Sequence, residues 1–449
     1  MRAHVITFGC QMNEYDTHTI QSELVAGGHE LATHPADADL LLLNTCAVRG
    51  KPVEKVISVL GDLRKQRSEG RDVTVGLMGC LAQLDEGREV AQKFGVDLLV
   101  GPGAITDLLE ALEEYGSLRS GERGGMIERL GFQAELHDYQ PPAPRGLSGF
   151  LTIMRGCNHH CTYCIVPDTR GPEVSRARES VMREAAAMRA AGLAEVTLLG
   201  QNVNSYGMGQ PGMPSFPELL RAVADLGFER VKFTTSHPMN FTSELIDVIA
   251  THPNVCNYIH LPMQSGSDRV LRRMAREYRI ERYLDIVREI REKVAEVVIS
   301  TDIIVGFPGE TEEDFQATLA AAETAAFEQA YMFMYSARPG TPSYKHFEDM
   351  PREVKVERLQ RLIEAQKARS LAANEVLVGK TLRVLVKDLG RDSRYAVGHS
   401  DQNHTVLVPA ESVTSMGVKD VTITGATPHA LHGEVVGAAP RGIELVMAS

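Results

Sequence analysis

The sequence predicts an α/β protein in three parts: an N-terminal open parallel α/β sheet, a central partial (βα)6 TIM-like barrel, and a small C-terminal antiparallel β-barrel. Three observations carry this. Apolar strands alternate with helical segments from residue 1 to about 116, and the alternation restarts near Leu147 after a proline-rich stretch. Beyond about residue 374 it gives way to short alternating strands roughly ten residues apart.

In the first part, HVITF leads into Gly9-Cys10, DLLLLN into Thr45-Cys46 and VTVGLM into Gly79-Cys80. Helical segments follow at about 14–26, 50–67 and 82–93, with a fourth strand near Val96–Val100 and a helix after Pro102. Parallel sheets place ligand sites beyond the carboxyl ends of their strands, so three thiols from three strands should converge on one edge. The alternatives are three unrelated core or loop cysteines, or a second metal cluster with three protein ligands. Asn13 and Asn44 lie beside these cysteines, where they could cap helices or orient the site.

Residues 117–146 read as a linker. At its end DYQPPAPRGLSG, residues 138–149, carries Pro141, Pro142 and Pro144, which break any helix and stiffen the connection into the barrel. The barrel spans 147–373, with strand candidates at 149–154, 195–199, 230–235, 257–263, 297–305 and 330–335. A closed eight-unit barrel needs about 250 residues, so a partial one is expected. GFPGE at 306–310 lacks the further glycine and lysine of a phosphate loop and reads as a turn into a helix at Glu312. A charged helix from Arg352 to Glu375 leaves the barrel, and 374–449 forms the last part.

The loop after the first barrel strand, CNHHCTYC, holds Cys157, Cys161 and Cys164. A C-x3-C-x2-C run presents three thiolates and no fourth, and three ligands on a cubic iron-sulfur cluster leave one iron open to substrate. A tetrahedral zinc completed by His159 or His160 is the rival, although such sites usually come as two separated pairs. His159 and His160 read as exposed loop residues, and Cys256 in NVCNYIHL as a small buried hydrophobe.

Composition sets the bounds. The chain has 449 residues, 43% of them hydrophobic, enough for substantial cores in about three domains. Seven cysteines, an odd count, exclude a complete disulfide set. The start MRAHVITFGC has no apolar signal segment and no apolar run is long enough for a membrane, so the expectation is a cytoplasmic protein with reduced thiols and no membrane partner. The formal charge of -12 does not suggest a nucleic-acid binder, yet a local basic face survives such an average.

CNHHCTYCIVPDTRG, with GQNVNSYG, LPMQSGS and STDIIVGFPGE at later strands, resembles the radical S-adenosylmethionine (SAM) enzymes. TFGCQMN, NTCAVR and MGC narrow the resemblance to the methylthiotransferases, and NTCAVR with GQNVNSYG to the MiaB type. The likeness covers nearly the whole chain. It implies a 4Fe-4S cluster on Cys157, Cys161 and Cys164 that chelates SAM and cleaves it to a 5'-deoxyadenosyl radical. It further implies an auxiliary 4Fe-4S cluster on Cys10, Cys46 and Cys80 whose open iron holds the sulfur to be transferred. Two SAM molecules per turnover follow, one methylating the sulfur and one giving the radical. The implied substrate is tRNA carrying N6-isopentenyladenosine, methylthiolated at carbon 2 of position 37 beside the anticodon, with an electron donor protein and a sulfur donor as further partners.

By the same resemblance Tyr163 packs near the adenine, unless it is only a core aromatic. Gly200, Gln201 and Asn202 leave the second barrel strand where the family binds the cofactor's amino group. Ser236, Gln264, Ser265 and Asp302, at later strand ends, are candidates for the ribose or carboxylate, or else helix caps. The last part resembles a TRAM domain, an RNA-binding barrel, and Lys380, Arg383, Lys387, Arg391 and Arg394 would give it a basic face for RNA phosphate, against a merely solvated surface. Arg269, Arg272, Arg273, Arg276 and Arg279 either guide the anticodon stem or form a solvated helix face paired with Glu277 and Glu281. Two other functions stay in view: methylthiolation of a ribosomal-protein aspartate by the sister enzyme class, and a non-catalytic RNA-binding metal scaffold.

Overall fold

The computed structural model describes residues 1–48, 50–119, 125–132, 146–390 and 394–437. Arg391 and the prolines Pro141, Pro142 and Pro144 lie outside the described residues.

The first sheet contains β1 (Arg2–Phe8), β2 (Glu30–Leu31), β3 (Leu40–Thr45), β4 (Thr74–Gly79), β5 (Leu98–Val100) and β6 (Ile127–Arg129). Its order is β2-β1-β3-β4-β5-β6 and every pairing is parallel. Strand β3, LLLLNT, is buried on both faces, as the middle of a doubly covered parallel sheet requires. Helices α1 (Gln11–Ala26), α2 (Gly50–Ser68), α3 (Asp85–Phe94) and α4 (Leu108–Arg119) supply the cover. The strand order reverses between β1 and β3, the place where open α/β sheets form their ligand crevice.

The central part contains β7 (Ser148–Thr152), a two-strand ribbon of β8 (Met154–Arg155) with β9 (Val174–Ser175), then β10 (Glu195–Leu199), β11 (Arg230–Phe233), β12 (Tyr258–His260), β13 (Val298–Val305) and β14 (Gln329–Met334). Strands β7, β10 and β11 pair in parallel, as do β12, β13 and β14. A bridge between Val231 and Val255 joins the two sets into one six-strand arc. It is a half-barrel with open edges at β7 and β14. Helix α1 covers the first edge and α13 (Arg352–Glu375) the second. Buried polar side chains fasten α13: Gln366 donates to the Phe327 carbonyl at 2.9 Å and Ser370 to that of Glu328 at 2.7 Å. The helices of this part are α5 (Val166–Arg170), α6 (Arg178–Ala190), α7 (Phe216–Ala224), α8 (Ser243–Thr251), α9 (Asp268–Arg273), α10 (Ile280–Lys293) and α11 (Glu312–Ala325), with short α12 (Pro342–His346) before α13. GFPGE forms the expected turn. Gly306 and Gly309 have φ of 68° and 79°, and a capping box between Thr311 and Asp314 opens α11 at Glu312.

The C-terminal part is a closed barrel ordered β15-β16-β17-β19-β18, from β15 (Thr381–Leu389), β16 (Tyr395–Ser400), β17 (Thr405–Pro409), β18 (Gly417–Ala426) and β19 (Leu431–Val435). Its hairpin of β16 and β17 caps the amino-terminal end of the half-barrel. Arg230, 1% exposed, donates to the carbonyls of His399 and, at 2.6 Å, Ser400. Lys232 donates to Asn403 at 3.0 Å and pairs with Glu195. Among the described residues no helix is long and apolar enough to cross a membrane.

Candidate active site

Cys10, Cys46 and Cys80 leave β1, β3 and β4, three neighbours in the sheet, at their carboxyl ends. Glycine makes two of these exits possible. At Gly79 φ is +85°, and a Cβ would stand 2.4 Å from Asn44 Oδ1. At Gly9 it would stand 2.5 Å from Asn13 Oδ1. Asn13 and Asn44 are fully buried and bound to each other. Asn13 donates to Asn44 Oδ1 at 3.1 Å, and Asn44 returns bonds to the Asn13 carbonyl at 2.8 Å and Thr17 Oγ1 at 3.0 Å. This clamp ties the turn after β1 to the end of β3, holding two cysteine-bearing segments together. The thiols act on each other: a hydrogen bond from Cys46 draws Cys10 down to about 6, with Arg170 assisting, while the same bond and burial push Cys46 up.

Cys157, Cys161 and Cys164 lie in the loop between β8 and α5, closed at its base by the Cys157 amide donating to the Gly171 carbonyl. Gly156, at φ +83°, turns the chain into it, and a Cβ there would meet the Pro172 oxygen at 1.9 Å. Burial pushes Cys157 up to about 11 and, with Cys161 beside it, Cys164 up to about 12. Thiols buried this way keep their protons until a metal displaces them. Among the described residues, no three His, Cys, Asp or Glu side chains close on one point as a single ion requires. A cluster is gripped at separate corners and needs no such point.

The loop faces the carboxyl ends of the barrel strands. There Asn202 Oδ1, Ser236 Oγ, His237 Nε2 and Gln264 Oε1 are buried without a hydrogen-bond partner. Four unpaired polar atoms at the ends of three successive strands fit a polar cofactor, since each would otherwise cost desolvation free energy. Gln264 sits at φ 65°, a conformation held by bonds with the Asp302 carbonyl and the Ile304 amide. Gln201 is engaged locally, accepting from the Gly156 amide at 2.5 Å, and so positions the cysteine loop. Gly200 makes room for Met154, whose Cγ would lie 2.5 Å from a Cβ. Asp302 lies 3.4 Å from His260 Nε2. Ser265 turns toward α11, its hydroxyl bonded to Thr318 and to the Ser267 amide, as a helix-start residue. Tyr163 packs edge-on to Phe307, ring centroids 6.4 Å apart, against Val270, Met274 and Tyr335.

One expectation is corrected and the surroundings of two basic groups are filled in. His159 is half-buried, stacked on His237 with centroids 3.8 Å apart, because the cysteine loop folds back over the end of β11. The arginine group divides: Arg269, Arg272 and Arg279 are exposed, Arg269 pairing with Asp314, whereas Arg273 donates to the Pro308 carbonyl and lies over Phe347, and buried Arg276 donates to Cys161 Sγ at 3.4 Å. Of the proposed RNA face, Arg383 pairs with Glu229 and lies 3.5 Å from Asp401, and Lys387 donates to Ser148 and lies 3.6 Å from Glu195. Both serve the joint between domains, where Glu195 and Asp401 need positive partners. Lys380 and Arg394 are exposed.

Two arginines join the site in a role that the sequence did not assign to them. Arg276, 8% exposed, bonds Cys161, and Arg170, 3% exposed, donates to Cys80 Sγ at 3.2 Å while pairing with Asp16 at 2.7 Å. Each cysteine set thus has one buried guanidinium on one sulfur.

Three families match successive stretches of the chain. The Radical SAM superfamily matches residues 151–322, the Uncharacterized protein family UPF0004 residues 2–101, and the TRAM domain residues 375–436. A tRNA-2-methylthio-N(6)-dimethylallyladenosine synthase of Thermus thermophilus is 59% identical, over 100% of this chain and 95% of the relative. This chain belongs to the tRNA-2-methylthio-N(6)-dimethylallyladenosine synthase family. It is thereby a radical SAM methylthiotransferase of the MiaB type. Synthases of the same name from Deinococcus radiodurans and Burkholderia mallei are 56% and 40% identical, each over 97% of this chain and over 86% and 97% of their own. Among solved structures, the radical S-adenosylmethionine methyltransferase TsrM of Kitasatospora setae, with cobalamin and a [4Fe-4S] cluster bound, has a TM-score of 0.55 at 17% identity, covering 77% of each chain. The cobalamin-dependent radical enzyme OxsB gives 0.52 at 13%, covering 81% of this chain and 56% of its own. At these identities the family and those structures share a fold.

Proposed function

We propose that this enzyme adds a methylthio group to carbon 2 of N6-isopentenyladenosine at position 37 of tRNA, using two 4Fe-4S clusters and two SAM molecules per turnover. The carrying observation is that two sets of three cysteines stand at the carboxyl ends of two parallel strand systems, and that the segment following Cys164 carries Arg170 onto Cys80 of the other set. When bound, one cluster with SAM supplies a radical able to attack an unactivated carbon, and the other supplies the sulfur. The protein holds and shields them.

Cys157, Cys161 and Cys164 hold the first cluster and Cys10, Cys46 and Cys80 the second. Asn202, Ser236 and Gln264 meet the polar groups of SAM, and the apolar wall of Phe307, Met274 and Tyr163 excludes water there. Lys380 and Arg394 contact tRNA phosphate. An electron donor protein and a sulfur donor complete the cycle in the cytoplasm.

The test supplies undermodified tRNA and, separately, ribosomal protein to anaerobic enzyme with SAM and reductant. A methylthio mass on tRNA alone, with 5'-deoxyadenosine released, is expected. Replacing Cys157, Cys161 and Cys164 by Ala abolishes 5'-deoxyadenosine, whereas replacing Cys10, Cys46 and Cys80 preserves it and stops sulfur insertion. Equal cleavage by both triple variants, or zinc in place of iron, would overturn the reading.

A further inference from the structure

We propose that Arg170 is a positioning residue that sets the electron affinity of the centre on Cys10, Cys46 and Cys80. The proposal rests on the reading that those cysteines hold a cluster. Arg170 ends α5, the short helix that follows Cys164, so one segment carries the last ligand of one set and the hydrogen-bond donor of the other.

Its environment admits no ordinary surface role. The side chain is buried, its Nε aimed at Cys80 Sγ and its Nη2 at Asp16, which is itself buried on α1. A lysine could not hold both partners in this fork. In the loaded protein Cys80 is an iron-bound thiolate, a stronger acceptor than the thiol. Hydrogen bonds to cluster sulfurs and nearby charge are two of the levers that set a cluster's potential, and positive charge favours the reduced form. Asp16 opposes Arg170 electrostatically at Cys80.

Electron counting gives this a use. Joining a carbon radical on the adenine to a methylthiolate forms one carbon–sulfur bond and leaves one electron over. A metal centre held by Cys10, Cys46 and Cys80 would supply an acceptor for that electron, and the buried guanidinium of Arg170 beside Cys80 would favour its reduction.

The test is an anaerobic redox titration followed by electron paramagnetic resonance, on protein whose Cys157, Cys161 and Cys164 are alanine, so that only the N-terminal centre remains. Arg170→Met should move its midpoint to more negative potential, Arg170→Lys should recover part of the shift, and Asp16→Asn should move it the opposite way. An unchanged midpoint in the variants that keep their iron and sulfide overturns the proposal. Should Arg170→Met lose the cluster, the sign in Asp16→Asn decides: a positive shift supports the proposal, and no shift or a negative one refutes it. A parent protein that binds no iron or sulfide at all defeats the two-cluster reading itself.

Discussion

Glu195 Oε2 lies 3.0 Å from Lys232 Nζ, and this pair forms the centre of the joint between the half-barrel and the C-terminal barrel. Burial raises the cost of charging Glu195, but Lys232, Arg230 and Lys387 together outweigh it and hold the carboxyl at about 2 against an ordinary 4.5. A lowered carboxyl stabilises the fold above its unfolded value and loses that contribution as pH falls toward the folded one. Glu195→Gln should therefore be less stable than wild type at pH 7 by roughly 3 kcal/mol, and the gap should close between about pH 4.5 and 2. Thermal unfolding of the metal-free proteins across that range measures it, and a gap independent of pH would contradict the assignment.

Arg230→Met should be more damaging. It strips the hairpin carbonyls of their donor and leaves Glu195 and Asp401, at 3.2 and 3.4 Å, short of a counter-charge. Breaking a buried pair from one side costs about 3–5 kcal/mol. The expected signs are a lower unfolding temperature and new protease cleavage around residues 375–381, where α13 meets β15. Wild-type protease resistance would argue that other contacts carry the joint.

Binding of RNA should separate from this joint. Lys380→Glu with Arg394→Glu should weaken tRNA binding at low salt and flatten its salt dependence, by about one unit of log–log slope for each phosphate no longer neutralised. Arg383→Glu should show mainly as reduced stability, because its partner is Glu229. Filter binding over a salt series, beside thermal unfolding, distinguishes the two.

Gly79→Ala and Gly156→Ala make a matched pair. Each forces a Cβ into backbone or a packed side chain at positive φ, immediately before Cys80 or Cys157. Each variant should lose about half the iron and sulfide of wild type after reconstitution, and only Gly156→Ala should also lose 5'-deoxyadenosine formation. Full iron in both would show that the cysteine loops tolerate displacement.

Much of this was legible in the chain. The strand candidates at 195–199 and 297–305 and the helix Arg352–Glu375 lie within a residue of the observed elements, because long apolar runs and charged periodicity are local signals. Strands β2 and β6 are two and three residues long, too short to show a pattern. Strand β18, GVKDVTITGA, hid because Lys419 and Asp420 interrupt its alternation. The cysteines were readable by spacing and by their place after strands. The sulfur-bonding roles of Arg170 and Arg276 were not, since their partners lie 90 and 115 residues away and nothing nearby in sequence marks that contact. Arg383 and Lys387 looked like surface charge for the same reason: a basic residue on a strand reads alike whether it faces water or a buried carboxylate.

The hairpin of β16 and β17 also bears on the order in which the molecule can be made. The sheet bearing Cys10, Cys46 and Cys80 is complete by about residue 129, whereas the floor of the half-barrel waits for residues 399–403, which are made well after the last strand of the half-barrel. Arg230, Lys232 and Glu195 must pass that interval without their partners from the hairpin. A nascent chain stalled before residue 395 would therefore carry a finished first sheet beside an unsealed barrel.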